Sequence, residues 1–332
     1  MSNSTLKNLL KDYEQKRMNA ILDLDKRKSA LYSSNKRLEE IENELNSFAL
    51  NTAKAILSAP NETSSVDNLK EKIDNLKKEK ESILNSLNIC DDFFKPNFEC
   101  ALCEDTGYVR DSYNFNLCSC IKQKIFDFEY NKSNISNLKN NTFSNFNIDL
   151  YADKINEDLY SSNISPKDNI KNIKNIALNF IDNFESANEK NLLFLGNTGL
   201  GKTFLSNCIA NELLKIGKTV LYQTAPVMLD TIIDYRFNKN NTSSIYENIL
   251  DVDLLIIDDL GTECMNSMKF SELFNVINTR LLNQNNHITK TIISTNLNLK
   301  ELSEKYDERI FSRFVGYYNI CRFFGEDIRF KK

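Results

Sequence analysis

Residues 1–90 carry the apolar spacing of paired helices. Leucines recur every seven residues in the first run, and they are Leu31, Leu38 and Leu45. Residues 69–87 repeat this kind of spacing, and the turn-rich segment 58–65 separates the two runs. The pattern predicts an antiparallel helical hairpin. Heptads specify that helices pair and not why, so a solvated structural arm and a docking surface for the helices of a partner both stay open.

From about residue 166 to residue 332, short apolar runs alternate with amphipathic stretches. The apolar runs are candidate strands, and they lie at residues 192–195, 219–222, 253–258, 291–294 and 320–323. Helical patterns such as 203–215 and 270–282 lie between them. This alternation predicts an α/β fold, in which a mostly parallel sheet is covered by helices on both faces.

Two shorter segments separate these regions. Residues 91–130 hold four closely spaced cysteines, and residues 131–165 are rich in Asn and Ser with scattered aromatic side chains. We interpret the first as a small cysteine module and the second as a linker that partly packs on its neighbours. The predicted organisation is therefore a helical hairpin over 1–90, the module, the linker and an α/β domain over 166–332.

Composition and charge narrow the range of partners. The chain has 332 residues, of which 41% are hydrophobic, so it can bury a sizeable core. The formal net charge of -4 argues against a protein whose main role is to coat duplex DNA, but it allows a local basic track for single strands. The N-terminus is polar, and no stretch approaches the roughly 18 apolar residues of a membrane helix. We therefore expect a cytoplasmic protein that makes no membrane contact.

Four of the eight cysteines are clustered in sequence, and they are Cys100, Cys103, Cys118 and Cys120. In a reducing compartment, four thiolates suit a tetrahedral Zn²⁺ better than a disulfide framework. Gly107 follows the first pair and helps the backbone to turn around a metal. The second pair is C-x-C, tighter than the usual C-x-x-C, so unligated cysteines and a redox role are alternatives to structural zinc. A catalytic zinc is not expected, because all four ligand positions are filled.

A glycine-rich segment follows the first candidate strand of the α/β region, and we call it the phosphate loop. It reads Gly196-Asn197-Thr198-Gly199-Leu200-Gly201-Lys202-Thr203 and fits G-x-x-x-x-G-K-[ST] in full. The glycines let successive backbone N–H groups point at one anion, and the following helix adds its dipole. Lys202 is expected to reach the β and γ phosphates of ATP, and the Thr203 hydroxyl to ligate Mg²⁺.

A second apolar strand ends in two carboxylates, Asp258 and Asp259. A buried parallel strand reads as a continuous apolar run, and its C-terminal end faces the phosphate crevice. Asp258 is expected to hold Mg²⁺ through water, and Asp259 to polarise the attacking water, although most related ATPases use Glu there. The alternative is a pair of capping aspartates before a turn at Gly261.

Further polar groups follow the later strands. Asn296 comes directly after the strand 291–294 and could orient the attacking water, although such an Asn alone is more often a turn former. Arg309 and Arg313 are four residues apart and share one helix face. Beside an ATP site they suggest a charge clamp on the transition state, supplied to a neighbouring subunit; the alternative is a solvated face.

The order of these motifs resembles that of bacterial replicative-helicase loaders of the DnaC/DnaI type, which are AAA+ ATPases related to the IstB-like ATP-binding proteins. The resemblance runs from about residue 98 to the C-terminus. Its marks are the segments 100–109, 118–120 and 142–146, the phosphate loop, and the segments 255–261, 294–296, 308–313 and 325–329. The order of all of them behind a cysteine module is more specific than the ATP motifs alone.

The resemblance implies roles for individual residues. Asn296 matches the sensor-1 position, Arg313 the arginine finger that Arg309 accompanies, and Arg329 the sensor-2 arginine. Because the chain stops at Lys332 soon after the last strand, no helical lid of the kind that many AAA+ proteins carry is expected. The N-terminal region would contact a hexameric DnaB-type helicase, and the ATPase domain would bind single-stranded DNA and self-associate in the ATP state.

The resulting hypothesis is an ATP-dependent helicase loader that acts in the initiation of DNA replication. An alternative is a transposition helper ATPase of the IstB type, which shares the ATPase core but binds duplex DNA and a transposase; the cysteine module and the helical arm argue against it. A second alternative is a non-enzymatic zinc adaptor with a vestigial nucleotide site. The intact Lys202, Thr203 and Asp258 argue against that.

Overall fold

The structure, a computed structural model, describes residues 3–58, 63–111, 114–129, 141–237, 243–283 and 288–330. The chain divides into two compact units: residues 8–116 form the smaller one, and residues 117–332 with residues 1–7 form the larger one. The middle of the predicted helical break, residues 59–62, and much of the predicted linker, residues 131–140, lie outside the described residues, as do the side chains of residues 69–71.

The smaller unit is built mainly on helices. They are α1 (Asn3–Ser34), α2 (Lys36–Ser58) and α3 (Thr63–Ser86). The Asn35 side chain accepts a hydrogen bond from the Leu38 amide at 3.2 Å, so Asn35 caps α2 and separates it from α1. Leu38 and Leu84 pack in one apolar cluster, and Arg37 of α2 pairs with Glu79 of α3 at 2.8 Å. α2 and α3 are thus paired, whereas the predicted first run, which holds Leu31, Leu38 and Leu45, is divided between α1 and α2 at Asn35. The hairpin over 1–90 stays a prediction. A two-stranded sheet follows, made of β1 (Tyr108–Asp111) and β2 (Asn114–Leu117).

The larger unit is organised around a parallel sheet. Its strands among the described residues are β3 (Asn191–Leu195), β4 (Val220–Thr224), β5 (Leu254–Leu260), β6 (Lys290–Thr295) and β7 (Tyr318–Arg322). Their order across the sheet is β4-β5-β6-β3-β7, and every neighbouring pair is parallel. The predicted strands match the observed ones to within two residues at each end, and the α/β prediction is confirmed.

Helices cover both faces of this sheet. In chain order they are α4 (Ser119–Glu129), α5 (Glu157–Tyr160), α6 (Pro166–Asp182), α7 (Lys202–Lys215), α8 (Ala225–Phe237), α9 (Ser243–Asp251), α10 (Ser267–Asn283), α11 (Leu299–Lys305) and α12 (Glu308–Tyr317). Alternate residues of β5 point to opposite faces, as the strand period of two requires. Leu254 and Ile256 pack with α6 and α7, while Leu255 and Ile257 pack with α8, α9, α10 and α12. The continuous apolar run of β5 is therefore explained by burial on both sides.

The edge strand β4 is covered by α4. The Gln123 side chain donates to the Val220 carbonyl at 3.0 Å and accepts from the Val220 amide at 2.7 Å. The Gln123 side-chain amide thus bonds both the N–H and the C=O of Val220, as the backbone of a neighbouring strand would. It satisfies backbone groups that an edge strand otherwise leaves without a partner in the sheet. Phe126 of the same helix is buried in the apolar cluster under β5. β4 is thereby held against the sheet at the strand's own N-terminal end.

A buried arginine fixes the entrance to β5. Arg280 of α10 is 1% exposed and donates to the carbonyls of Ile249, Val252 and Lys290 at 2.9, 2.9 and 2.7 Å. Burial lowers the pKa of this guanidinium to about 10, and the carbonyl oxygens compensate the charge. The hydrogen bonds from Arg280 therefore hold the turn between α9 and β5 in place. Among the described residues, no helix is both long enough and apolar enough to cross a membrane.

Candidate nucleotide site

The phosphate loop connects β3 to α7 in a backbone conformation that needs glycine. Gly196 has φ +144°, and a Cβ there would lie 2.3 Å from the Phe323 carbonyl oxygen. Gly201 has φ +87°, and a Cβ there would meet the Tyr151 hydroxyl at 2.6 Å. α7 begins at Lys202, so the free N–H groups of its first turn face the loop. This backbone arrangement suits an anion, as the sequence pattern leads us to expect.

Lys202 lies inside the loop and is 6% exposed. Its Nζ donates to the carbonyls of Gly196 and Asn197 at 2.6 and 2.8 Å, and to the Asn296 side-chain oxygen at 2.9 Å. Burial lowers the pKa of Lys202 to about 8, against the attraction of Asp258 and Asp259. The structure therefore brings the predicted phosphate lysine and the predicted sensor asparagine into direct contact. An incoming phosphate oxygen could take the place of the loop carbonyls around Nζ.

Asp258 lies at the carboxyl end of β5 and is 3% exposed. Its Oδ2 accepts a hydrogen bond from the Thr203 hydroxyl at 2.9 Å and another from the Tyr222 hydroxyl. Its Oδ1 accepts from the Ser294 hydroxyl and from the Asp259 amide, the latter at 3.1 Å. Hydroxyl and carboxylate oxygens are the donors that Mg²⁺ prefers, so Thr203 and Asp258 fit a magnesium bound with ATP.

A β-bulge separates the roles of the two aspartates. The pairing of β5 with β6 shifts between Ile257 and Leu260, so Asp258 and Asp259 together oppose Ser294. Asp259 takes φ +55°, a left-handed conformation that turns its side chain into the cavity beside the loop. Burial, and secondly the charge of Asp258, raise the pKa of Asp259. A carboxylate with a raised pKa is a better proton acceptor for an attacking water.

The cavity at the loop has a volume of about 400 Å³ and is partly closed by the C-terminal segment. The Ile328 amide donates to the Gly199 carbonyl at 3.0 Å, and Arg329 lines the cavity. The Arg329 guanidinium pairs with Asp327 at 2.5 Å, and this pairing lowers the pKa of the Asp327 carboxyl. Arg329 therefore stands beside the phosphate loop, while its role as a sensor stays a prediction.

Arg309 and Arg313 do not reach this cavity. Both project from α12 over the ring of Phe274, with guanidinium carbons 5.1 and 4.5 Å from its centroid. Arg313 also donates twice to the Asn278 side-chain oxygen, at 3.0 and 2.8 Å, and Arg309 pairs with Asp307 at 2.7 Å. The two arginines are thus ordered away from their own phosphate loop. Their predicted action on a neighbouring subunit stays a prediction.

The four clustered cysteines come together as a ligand set. The sulfur atoms of Cys100, Cys103, Cys118 and Cys120 lie within 4.8 Å of one another. The Asp105 carboxylate accepts hydrogen bonds from the amides of residues 99 and 100, each at 2.9 Å, which shapes the turn that holds the first pair. Four convergent thiols are compatible with one tetrahedral zinc.

Sequence reasoning missed two residues of the site, Tyr222 and Ser294. Each is the last residue of a predicted strand, 219–222 or 291–294, and each hydroxyl donates to Asp258. Their position at the ends of predicted strands could have indicated a place in the site, because the carboxyl ends of parallel strands meet at the edge where the phosphate loop lies. Without the strand order, nothing in the sequence says that β4 and β6 flank β5.

Known proteins match the part of the chain that holds this site. A family described as IstB-like ATP binding protein matches residues 150–315. The replicative helicase loader DnaC of Escherichia coli (strain K12) is 28% identical over 138 residues, which are 41% of this chain and 54% of that protein. The chromosomal replication initiator protein DnaA of Acinetobacter baylyi is 34% identical over 131 residues, 39% of this chain and 27% of that protein. The chain therefore spans about half of the first relative and about a quarter of the second.

Solved structures of DnaC and DnaI also align with this chain. A crystal structure of the DnaC helicase loader aligns with a TM-score of 0.43 and 20% identity, over 54% of this chain and 97% of that one. A crystal structure of DnaI aligns with a TM-score of 0.40 and 23% identity, over 50% of this chain and 86% of that one.

The depressed pKa of Lys202 predicts how ATP binding changes with pH. Lys202 is charged below its pKa of about 8 and loses its proton as the pH rises through that value. A phosphate favours the charged form, so the affinity for ATP should be flat near neutral pH and fall by up to about tenfold per pH unit above 8. Titrations with a fluorescent ATP analogue between about pH 7 and pH 9.5 measure this. Lys202→Arg, which stays charged, should remove the slope; a wild-type profile without a slope would contradict the assignment.

Proposed function

This chain belongs to the family of IstB-like ATP binding proteins, and we propose that it is an ATP-hydrolysing loader of a replicative helicase. It would bind a DnaB-type hexameric helicase and help to place it on single-stranded DNA when replication starts. Such a loader works in the cytoplasm. The observation that carries the proposal is the assembled nucleotide site, in which Lys202 meets Asn296 and Thr203 meets Asp258. The similarity to DnaC, named a replicative helicase loader, supports the choice of partner.

The proposed hydrolysis assigns one task to each side chain. Lys202 and the loop amides bind the β and γ phosphates, and Thr203 and Asp258 hold the magnesium that neutralises phosphate charge. Asp259 accepts the proton of the attacking water, which Asn296 orients. Arg329 contacts the phosphates from the same chain, and Arg313, accompanied by Arg309, from a neighbouring one.

The other regions of the chain would support the ATPase domain. We propose residues 1–90 as the docking arm, 91–130 as a zinc-binding module, 131–165 as the linker and 166–332 as the AAA+ ATPase domain. The arm has a charged surface and buried leucines, as paired helices that present a polar face to a partner do. The zinc would be structural, since four thiols leave no open coordination position.

Co-purification with the helicase tests the partner. The full chain should form a stable complex with the DnaB-type helicase of its own organism, and single-stranded DNA should raise its ATPase rate. Lys202→Ala should lower kcat by about a hundredfold or more, because it removes phosphate charge stabilisation. Equal rates for wild type and Lys202→Ala would mean that the site is dead. Binding of duplex DNA and a transposase, with no helicase complex, would instead indicate the transposition helper.

Mixing two inactive variants tests the arginine supplied between subunits. Arg313→Ala keeps an intact phosphate loop, and Lys202→Ala keeps an intact Arg313. In a random one-to-one mixture about a quarter of the interfaces combine an intact loop with an intact arginine, so about a quarter of the wild-type ATPase rate should return. Mixing Arg313→Ala with the double variant Lys202→Ala/Arg313→Ala should restore nothing. No recovery in the first mixture would refute action between subunits.

Metal analysis tests the cysteine module. The purified chain should carry one zinc, and Cys103→Ser should lose it together with part of the thermal stability. Cys90 is exposed and outside the cluster, so Cys90→Ser is a matched control that should keep the metal. A metal-free wild type with full stability would rule out the structural zinc.

A further inference from the structure

The Asp258 carboxylate accepts four hydrogen bonds from the protein, two on each oxygen. Thr203 and Tyr222 donate to Oδ2, while Ser294 and the amide of Asp259 donate to Oδ1. Two of these donors, the Thr203 hydroxyl and the Asp259 amide, belong to residues of the candidate nucleotide site described above. The other two, Tyr222 and Ser294, come from the strands on either side of β5.

Tyr222 reaches Asp258 from a strand that is itself fixed. In the register of β4 with β5, Tyr222 lies opposite Ile256, and Thr224 lies opposite Asp258. The Tyr222 ring is 4% exposed and packs in the apolar cluster under α6 and α7. Its hydroxyl therefore has one well-defined approach to Oδ2.

Hydrogen bonds on both oxygens fix the plane of a carboxylate. Tyr222 holds Oδ2 from one side and Ser294 holds Oδ1 from the other, so rotation about the terminal bond of Asp258 would break one bond or both. A carboxylate that binds a metal through water depends on such outer hydrogen bonds for its direction, and their loss commonly weakens metal binding by 10- to 100-fold.

We propose that Tyr222, paired with Ser294, is a positioning residue for magnesium. It would preset the direction in which Asp258 meets the magnesium that accompanies ATP, and so set the magnesium requirement of the site. This inference rests on the proposed ATP-dependent function. It concerns the metal half of the site and leaves the phosphate half, Lys202 and the loop amides, unaffected.

Tyr222→Phe removes the hydroxyl and keeps the buried ring. Binding of a fluorescent ATP analogue to the full chain is measured while magnesium is titrated, and again in EDTA. The magnesium concentration for half-maximal binding should rise about tenfold in the variant. Affinity in EDTA should equal that of wild type, because the phosphate contacts are intact. Ser294→Ala should shift the magnesium requirement in the same direction, and it serves as the second variant if Tyr222→Phe folds poorly.

Tyr318→Phe is the matched control. Tyr318 is also a buried tyrosine of the sheet, but it pairs with Asn191 at the opposite, N-terminal end of β3. Its loss of a hydroxyl should leave the magnesium titration unchanged. An unchanged magnesium requirement in well-folded Tyr222→Phe would overturn the inference, as would an equal loss of affinity with and without magnesium. A wild type that binds the analogue but hydrolyses no ATP would defeat the proposed function alone; a wild type that binds no nucleotide would defeat both.

Discussion

A buried carboxylate without partners is costly, and this constraint governs the centre of the larger unit. Asp258 is 3% exposed and is satisfied by donors from α7, β4 and β6 as well as from its own strand. These elements must keep their relative positions for the donors to reach it. The geometry of the candidate magnesium site and the packing of the sheet therefore depend on the same hydrogen bonds.

The phosphate loop is also held to the sheet by hydrogen bonds. Lys202 joins the phosphate loop to Asn296 at the end of β6, so the residue that would bind phosphate already touches the residue that would orient water. The C-terminal segment adds a third contact through Ile328 and Gly199. Arg309 and Arg313 remain outside this assembly, stacked on Phe274. The two arginines are therefore held by partners on α10 and not by the candidate nucleotide site.

The cysteines and the edge of the sheet are close neighbours in the chain. α4 begins between Cys118 and Cys120, and its Gln123 brackets Val220, two residues before Tyr222. A helix that begins among these cysteines and covers an edge strand protects that edge from pairing with other chains.

The sequence alone determined the parts that depend on local order. The phosphate loop, the strand that ends in Asp258 and Asp259, the five strands and the four cysteines could be predicted because glycine pattern, apolar runs and thiol spacing are local properties. Only the tertiary structure decided which strands flank β5, and hence that Tyr222 and Ser294 converge on Asp258. It also decided the separation of the arginines from the loop, because Arg313 is bonded to Asn278 on α10. These outcomes depend on strand order, on a bulge and on competing partners far apart in sequence, and no local pattern encodes them.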